Sequence, residues 1–167
     1  MARSLRFLFT VMGVLLLLDQ GGKVWVRAAI PLHHATSLIP NLLELTHVEN
    51  RGVSFSFLGD ISDNVRVPLL VSISIVAVAL LAYYWLRHRG TMNLPSEFAF
   101  VLILPGAIGN LIDRAVFGTV TDYLHFRFYS LSFFVNNLAD ILISLGVLAY
   151  LLGAILANRE RSGQAVS

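Results

Sequence analysis

The stretch NNLADILISLGVLAYLLGAIL, residues 136–156, is long and apolar enough to cross a bilayer, yet it opens on two asparagines and sets a carboxylate, Asp140, close to its start. A membrane-crossing helix needs about 20 predominantly apolar residues. A charge at mid-membrane costs roughly 2.5–3.5 kcal/mol even on the mildest scale. A carboxylate retained in such a segment therefore has a use, and the rest of the chain shows what can share it.

The whole sequence is bilayer-like. Of its 167 residues, 56% are hydrophobic and 13% charged, against about 25% charged in soluble domains, and its mean hydropathy is +0.74. A soluble enzyme is a poor fit. So is a nucleic-acid binder, because the net charge is only +2 and the basic residues are thinly spread. With no cysteine, the chain has neither disulfides nor thiolate metal ligands.

Four segments, about 5–28, 67–86, 96–113 and 137–157, are predicted to span the membrane. The first, preceded by Arg3 and Arg6, also has the look of a signal peptide. No small-x-small cleavage site follows directly and three further spans do, so it reads as an anchor. Arg3 and Arg6, Arg87 and Arg89, and Arg159 and Arg161 lie in short flanks, which marks those ends as cytoplasmic. Arg27, at the outer end of the first span, and Arg51, Arg66, Arg114 and Arg127, diluted over two longer segments, 29–66 and 114–136, fall on the other side. The expectation is one integral-membrane domain over 1–157, both termini cytoplasmic, and a polar, disordered tail over 158–167.

In the first outer segment, LLELTHVENRGVSFSF (42–57) alternates, with Val53, Phe55 and Phe57 apolar around Ser54 and Ser56. It reads as a strand pair interrupted at Gly52. The glycine serves either a simple bend or the close approach of another backbone. In the second, DYLHFRFYSLSFF (122–134) is rich in aromatics, which favour the membrane interface.

Placed along their helices at 1.5 Å per residue, the awkward polar residues fall at one depth near the outer face. Asp19 and Lys23 lie four apart on one face of the first span. Asn110, Asp113 and Arg114 close the third, Asn137 and Asp140 open the fourth, and Asp122 lies in the outer segment between. Ionisable residues at such a level are functional candidates. Structural readings stand beside that one: Asp19 with Lys23 as an ion pair fixing the first helix, Asp113 with Arg114 as an anchor for the third, and Asn137 as an N-cap with Asp140 at N3.

Asp122 has no basic partner beside it in sequence, and it and Asp140 are the candidate pair. Two carboxyls held close cannot both ionise readily, so one keeps a proton. The ionised member then takes a proton from water while the other polarises a scissile carbonyl, a chemistry that needs no metal and no cofactor. Other constellations fit badly. The histidines (His33, His34, His47, His88, His125) form no HExxH, no G-x-S-x-G elbow is present, and FLGD ending at Asp60 is a chance match to another protease class.

The blocks DQGGK (19–23), NRGVSF (50–55), GAIGNLIDR (106–114), VTDY (120–123) and NLAD (137–140) resemble, in order and approximate spacing, those of the bacterial lipoprotein signal peptidases, or signal peptidase II. The resemblance runs from about residue 7 to 157. It implies an aspartic endopeptidase of the bacterial inner membrane with four transmembrane helices and a small extracytoplasmic β-cradle. Such an enzyme removes signal peptides from diacylglyceryl-modified prolipoproteins just before the lipidated cysteine, and is the target of globomycin-type inhibitors. By motif, the catalytic aspartates fall on Asp122 and Asp140. The supporting residues fall on Asp19, Lys23, Asn50, Gly52, Gly109, Asn110, Arg114, Asn137 and Ala139. Expected partners are these substrates and membrane lipid, not nucleic acid, with the chain a monomer. Asn136, Pro105 and Ser54 depart from the pattern (an aromatic, a glycine and an alanine are usual), and none removes a catalytic group. The rival reading is a small transporter or channel subunit that uses the same charges. Repeated halves, usual in transporters, are absent.

Overall fold

Four helices carry the four apolar runs, and a four-stranded antiparallel sheet is built from the segments between them. The computed structural model describes residues 4–52 and 62–164, without the side chains of 160–164. The elements are α1 (Leu5–Ala29), β1 (Ala35–Ile39), β2 (Leu43–Asn50), α2 (Asp63–His88), α3 (Leu94–Phe117), β3 (Val120–Phe128), β4 (Leu131–Asn136) and α4 (Leu138–Gln164). All four helices are long and apolar enough to cross a bilayer. The 25 residues of α1, for instance, reach roughly 37 Å at 1.5 Å per residue. The chain is therefore mainly helical.

Several boundaries differ from the sequence reading. Helix α2 starts at Asp63, ahead of the apolar run, because polar residues are tolerated in a first turn that projects beyond hydrocarbon. Helix α3 continues past Asp113 to Phe117, which makes Arg114 helical. It stops where Gly118 adopts φ +75° and its N–H bonds back to Arg114 O, the left-handed cap that glycine permits. Helix α4 runs on to Gln164, so the expected polar tail begins as a continuation of the helix.

Helix α3 is central and packs on α1, α2 and, most extensively, α4. A buried cluster of Leu8 and Met12, Trp85, and Phe100, Val101 and Leu104 joins α1, α2 and α3. The α3–α4 seam depends on missing side chains. A Cβ on Gly106 would collide with Ala139 O, and one on Gly146 with Ala99 O and Ile103. Small residues let membrane helices approach to this distance. At the far end Asn93 caps α3 by accepting from Ser96 N at 3.1 Å, while its Nδ2 donates to Gly153 O at 2.6 Å. The seam presses the first turn of α4 against α3.

The sheet order is β1-β2-β3-β4, all antiparallel. The aromatic outer segment thus forms a hairpin, β3–β4. The first limb of the expected strand pair is β2, whose partners are β1 and β3. The second limb, with Val53, Ser54, Phe55 and Phe57, lies outside the described residues, as does Asp60. A register shift between Leu45 and Val48 frees His47, whose Nδ1 bonds Ile30 O at 2.8 Å and ties the sheet to the end of α1.

Candidate active site

The start of α4 follows the end of β4 after one residue, Asn137, which is fully buried. Its Oδ1 accepts from Asp140 N at 3.0 Å, so it does cap the helix. Its other end is not idle: Nδ2 donates to Asp122 Oδ1 at 2.6 Å. One amide thus caps α4 and ties the Asp122 carboxylate to the backbone of its first turn.

Asp122 lies near the start of β3, paired in register with Val48. Asn50 Nδ2 donates to its second oxygen, Oδ2, at 2.9 Å. Asn50 is itself held by Gly52 N, which donates to its Oδ1 at 2.8 Å. Gly52 has φ +74°, and an added Cβ would stand 3.0 Å from Leu70 and 3.9 Å from Arg114 Nε. The positive φ makes this a bend that glycine adopts without strain, and the atoms that crowd it belong to side chains and not to another backbone. Burial pushes the Asp122 carboxyl up to about 6, and the charge of Asp140 adds to the rise, while the amides of Asn50 and Asn137 offset part of it. Asp122 nonetheless borders an open cleft of about 450 Å³, with Asn50, Arg51, Arg66 and Val135 around it.

Asp140 is fixed from the helix side. Asn110 Nδ2 donates to Asp140 Oδ1 at 2.8 Å, and Asn110 Oδ1 accepts from Lys23 Nζ at 2.9 Å. Lys23 is fully buried. It pairs with Asp19 at 2.9 Å and lies 3.3 Å from Asp113. A buried cation is tolerable only with such partners. Asp19 reaches further: its Oδ1 accepts from Ala139 N at 2.9 Å in the first turn of α4, where helix geometry leaves N–H groups unpaired and favours an anion. Ala139 thus contributes through its backbone. Gly109 leaves room for this carboxylate, since a Cβ there would overlap Asp19 Oδ2. Gln20 Nε2 bridges Asp19 Oδ2 and Gly109 O at 3.0 and 3.1 Å.

The pairing of Asp113 differs from the sequence expectation. It bonds not Arg114 but Arg27 Nη2 at 2.8 Å and Thr121 N at 3.1 Å, which docks the start of β3 onto α1 and α3. Arg114 Nη1 donates to Asn110 O at 3.3 Å, within electrostatic reach of Asp140 and Asp122. All the named site residues, Asp19, Lys23, Asn50, Gly52, Gly109, Asn110, Arg114, Asp122, Asn137, Ala139 and Asp140, therefore belong to one connected assembly. Sequence reading missed Arg27, Gln20 and Thr121 as members. Arg27 was within reach, because Asp19, Lys23 and Arg27 continue a spacing of four along one helix face.

The model of the signal peptidase (SPase) II family matches residues 11–156. The lipoprotein signal peptidase of Bartonella henselae is 38% identical over 158 residues, covering 93% of this chain and 93% of that protein. That of Syntrophotalea carbinolica is 35% identical over 158 residues, covering 95% and 93%. A solved bacterial membrane enzyme superposes with a TM-score of 0.79 at 23% identity, over 91% of this chain and 96% of that one, a likeness of fold. The order of the helices, the carboxylate assembly and these relatives lead to one assignment: the chain belongs to the signal peptidase II family.

Proposed function

We propose that this chain is an aspartic endopeptidase that removes signal peptides from diacylglyceryl-modified bacterial prolipoproteins, cutting just before the lipidated cysteine. The family and the names of its relatives support the substrate class. The observation that carries the mechanism is the placing of two carboxylates within electrostatic reach, Asp122 held by Asn137 and Asn50 and Asp140 by Asn110, with Asn137 also bonded to the backbone N–H of Asp140. Asp122, with its carboxyl pushed up to about 6, is suited to hold the shared proton and polarise the scissile carbonyl. Asp140 then takes a proton from the attacking water. The tetrahedral intermediate collapses as the leaving amine receives a proton from the pair. Arg114 and Lys23 supply fixed positive charge to the acidic assembly.

The active site is assigned to the outer, periplasmic face of the inner membrane, with both termini cytoplasmic and residues 1–157 as one domain. This follows the short basic flanks and the need of a lipid-bearing cysteine to stay at the interface. We further assign a monomer, inhibition by globomycin-type cyclic peptides, and contact with membrane lipid. Membership of a peptidase family disfavours the transport alternative.

The test is to incubate the purified protein with a diacylglyceryl-modified prolipoprotein and detect the released signal peptide. Cleavage is expected with a chelator present and is expected to be poor when the cysteine is unmodified. Equal cleavage of modified and unmodified precursor would make it a general membrane protease instead.

A further inference from the structure

Outside the carboxylate assembly, a second line of reactive side chains crosses three strands. Glu44 of β2 is the register partner of His125 of β3. Ser132 of β4 is the register partner of Arg127, two residues further along β3, so all four side chains share one face of the sheet. Three of them are bonded in series, with Glu44 Oε2 at 2.9 Å from His125 Nδ1 and His125 Nε2 at 2.8 Å from Ser132 Oγ. Arg127 Nη1 donates to the other oxygen of Glu44 and holds that carboxyl below its ordinary value.

In the neutral ring these partners select the tautomer. An ionised carboxylate only accepts, so the ring proton is assigned to Nδ1, and Nε2 keeps a lone pair that accepts the Ser132 hydroxyl. A nucleophile within hydrogen-bond reach of a base that is itself oriented by a third group is the signature of an activated serine. Such triads are recognised by geometry and not by sequence position, which is why the missing G-x-S-x-G elbow does not exclude one.

We propose that Ser132, His125 and Glu44 form a second, serine-dependent acyl-transfer site, distinct from Asp122 and Asp140, that acts on carboxylic esters. Ser132 Oγ attacks the ester carbonyl carbon as its proton passes to His125 Nε2. The carbon–oxygen bond to the alcohol breaks, and the alcohol leaves with that proton. Water then attacks the acyl-serine, giving its proton to His125. The carboxylic acid departs and Ser132 recovers the proton. Glu44 is a positioning residue. Two features serve the oxyanion. The register shift after Arg127–Ser132 makes Phe133 the extra residue of a bulge, where backbone groups leave the ladder, and an N–H just after the nucleophile is the donor that hydrolase elbows use. Arg127 adds positive charge opposite Ser132. Ser132 is exposed, so an ester reaches its hydroxyl from solvent, whereas Leu131 and Phe134, register partners of Phe128 and Phe126, lie on the other face of the sheet.

The test uses the full-length protein in detergent, a fluorophosphonate probe, and p-nitrophenyl acetate as the ester. The expected result is a single adduct mapped to Ser132, absent in Ser132→Ala, and ester hydrolysis that Ser132→Ala loses. Both labelling and hydrolysis should fall about 10²-fold or more in His125→Gln, with thermal unfolding of each variant confirming the fold. No adduct on the folded wild-type protein, an adduct on another residue, or undiminished labelling of His125→Gln would overturn the proposal. None of these readouts depends on peptide cleavage, so the two sites stand or fall separately.

Discussion

Asn137 Nδ2 donates to Asp122 Oδ1 at 2.6 Å. The opposite end of the same amide caps α4 through Asp140 N, so the Asp122 carboxylate is tied to the first turn of α4 by a side chain whose other duty is to start that helix. Asn137→Ser separates these duties. Serine is as good an N-cap but cannot donate to Asp122 from that position. Helix stability should change little, while cleavage should fall about 10–10²-fold, the value of one hydrogen bond to a charged group. Asn137→Ala should in addition lose about 1 kcal/mol of stability. Thermal unfolding in detergent and initial rates of prolipoprotein cleavage check both.

Lys23 is the buried cation on which Asp19, Asp113 and Asn110 converge. Lys23→Met keeps the bulk and removes the charge, which leaves Asp19 as an uncompensated buried acid. Breaking a buried pair in this way costs about 3–5 kcal/mol, visible as a large fall in thermal midpoint. Arg27→Met should cost less, since Arg27 is partly exposed and Asp113 keeps Lys23.

Gly109→Ala tests whether Asp19 must reach α4. The new methyl would occupy the place of the Asp19 carboxylate, displacing it from Ala139 N and loosening the turn that carries Asp140. Cleavage should drop at least tenfold, roughly 1.4 kcal/mol or more. Gly13→Ala, where nothing lies within 4 Å of the added Cβ, should cleave normally.

These residues also show how far the sequence could be read. The spans were legible because about 20 apolar residues in a row have few alternatives. The polar layer was legible because a charge beside hydrocarbon is costly, so Asp19, Lys23, Asp113 and Asp140 each drew notice. The partners of Asp113 were not legible, since its choice of Arg27 over its neighbour Arg114 depends on how α1 and α3 rotate against each other. The end of α3 was misjudged at Asp113 because polarity there suggested an exit, whereas Gly118 ends the helix by its backbone conformation. The triad-like series of Glu44, His125 and Ser132 was invisible for another reason: Glu44 lies 81 residues from His125, and only sheet register brings β2 beside the β3–β4 hairpin.

Asp122 should make stability depend on pH. Its carboxyl is raised from an ordinary 3.8 to about 6. Between those values the folded chain keeps a proton that the unfolded chain has lost, so stability is greatest below the lower value and falls as pH rises through the higher. The shift corresponds to about 2–3 kcal/mol. Asp122→Asn should abolish this fall, with a lower midpoint at acid pH because its Nδ2 then faces the Nδ2 of Asn50 or Asn137, and should be inactive. Thermal midpoints of both proteins across that range check the sign.

Asp140→Asn tests the central claim most directly, measured as the single-turnover rate of signal-peptide release from a diacylglyceryl-modified prolipoprotein. If Asp140 only completes the first turn of α4, the change removes a charge–dipole interaction of about 0.3–1 kcal/mol, and the rate should barely move. As one half of a catalytic pair, Asp140 carries the proton that water must surrender. The rate should then fall by about 10²–10⁴-fold, in a protein that still unfolds at its normal temperature. Asp122→Asn should fall alike, and the double variant no further. Near-normal release by the folded Asp140→Asn protein would contradict the aspartic mechanism.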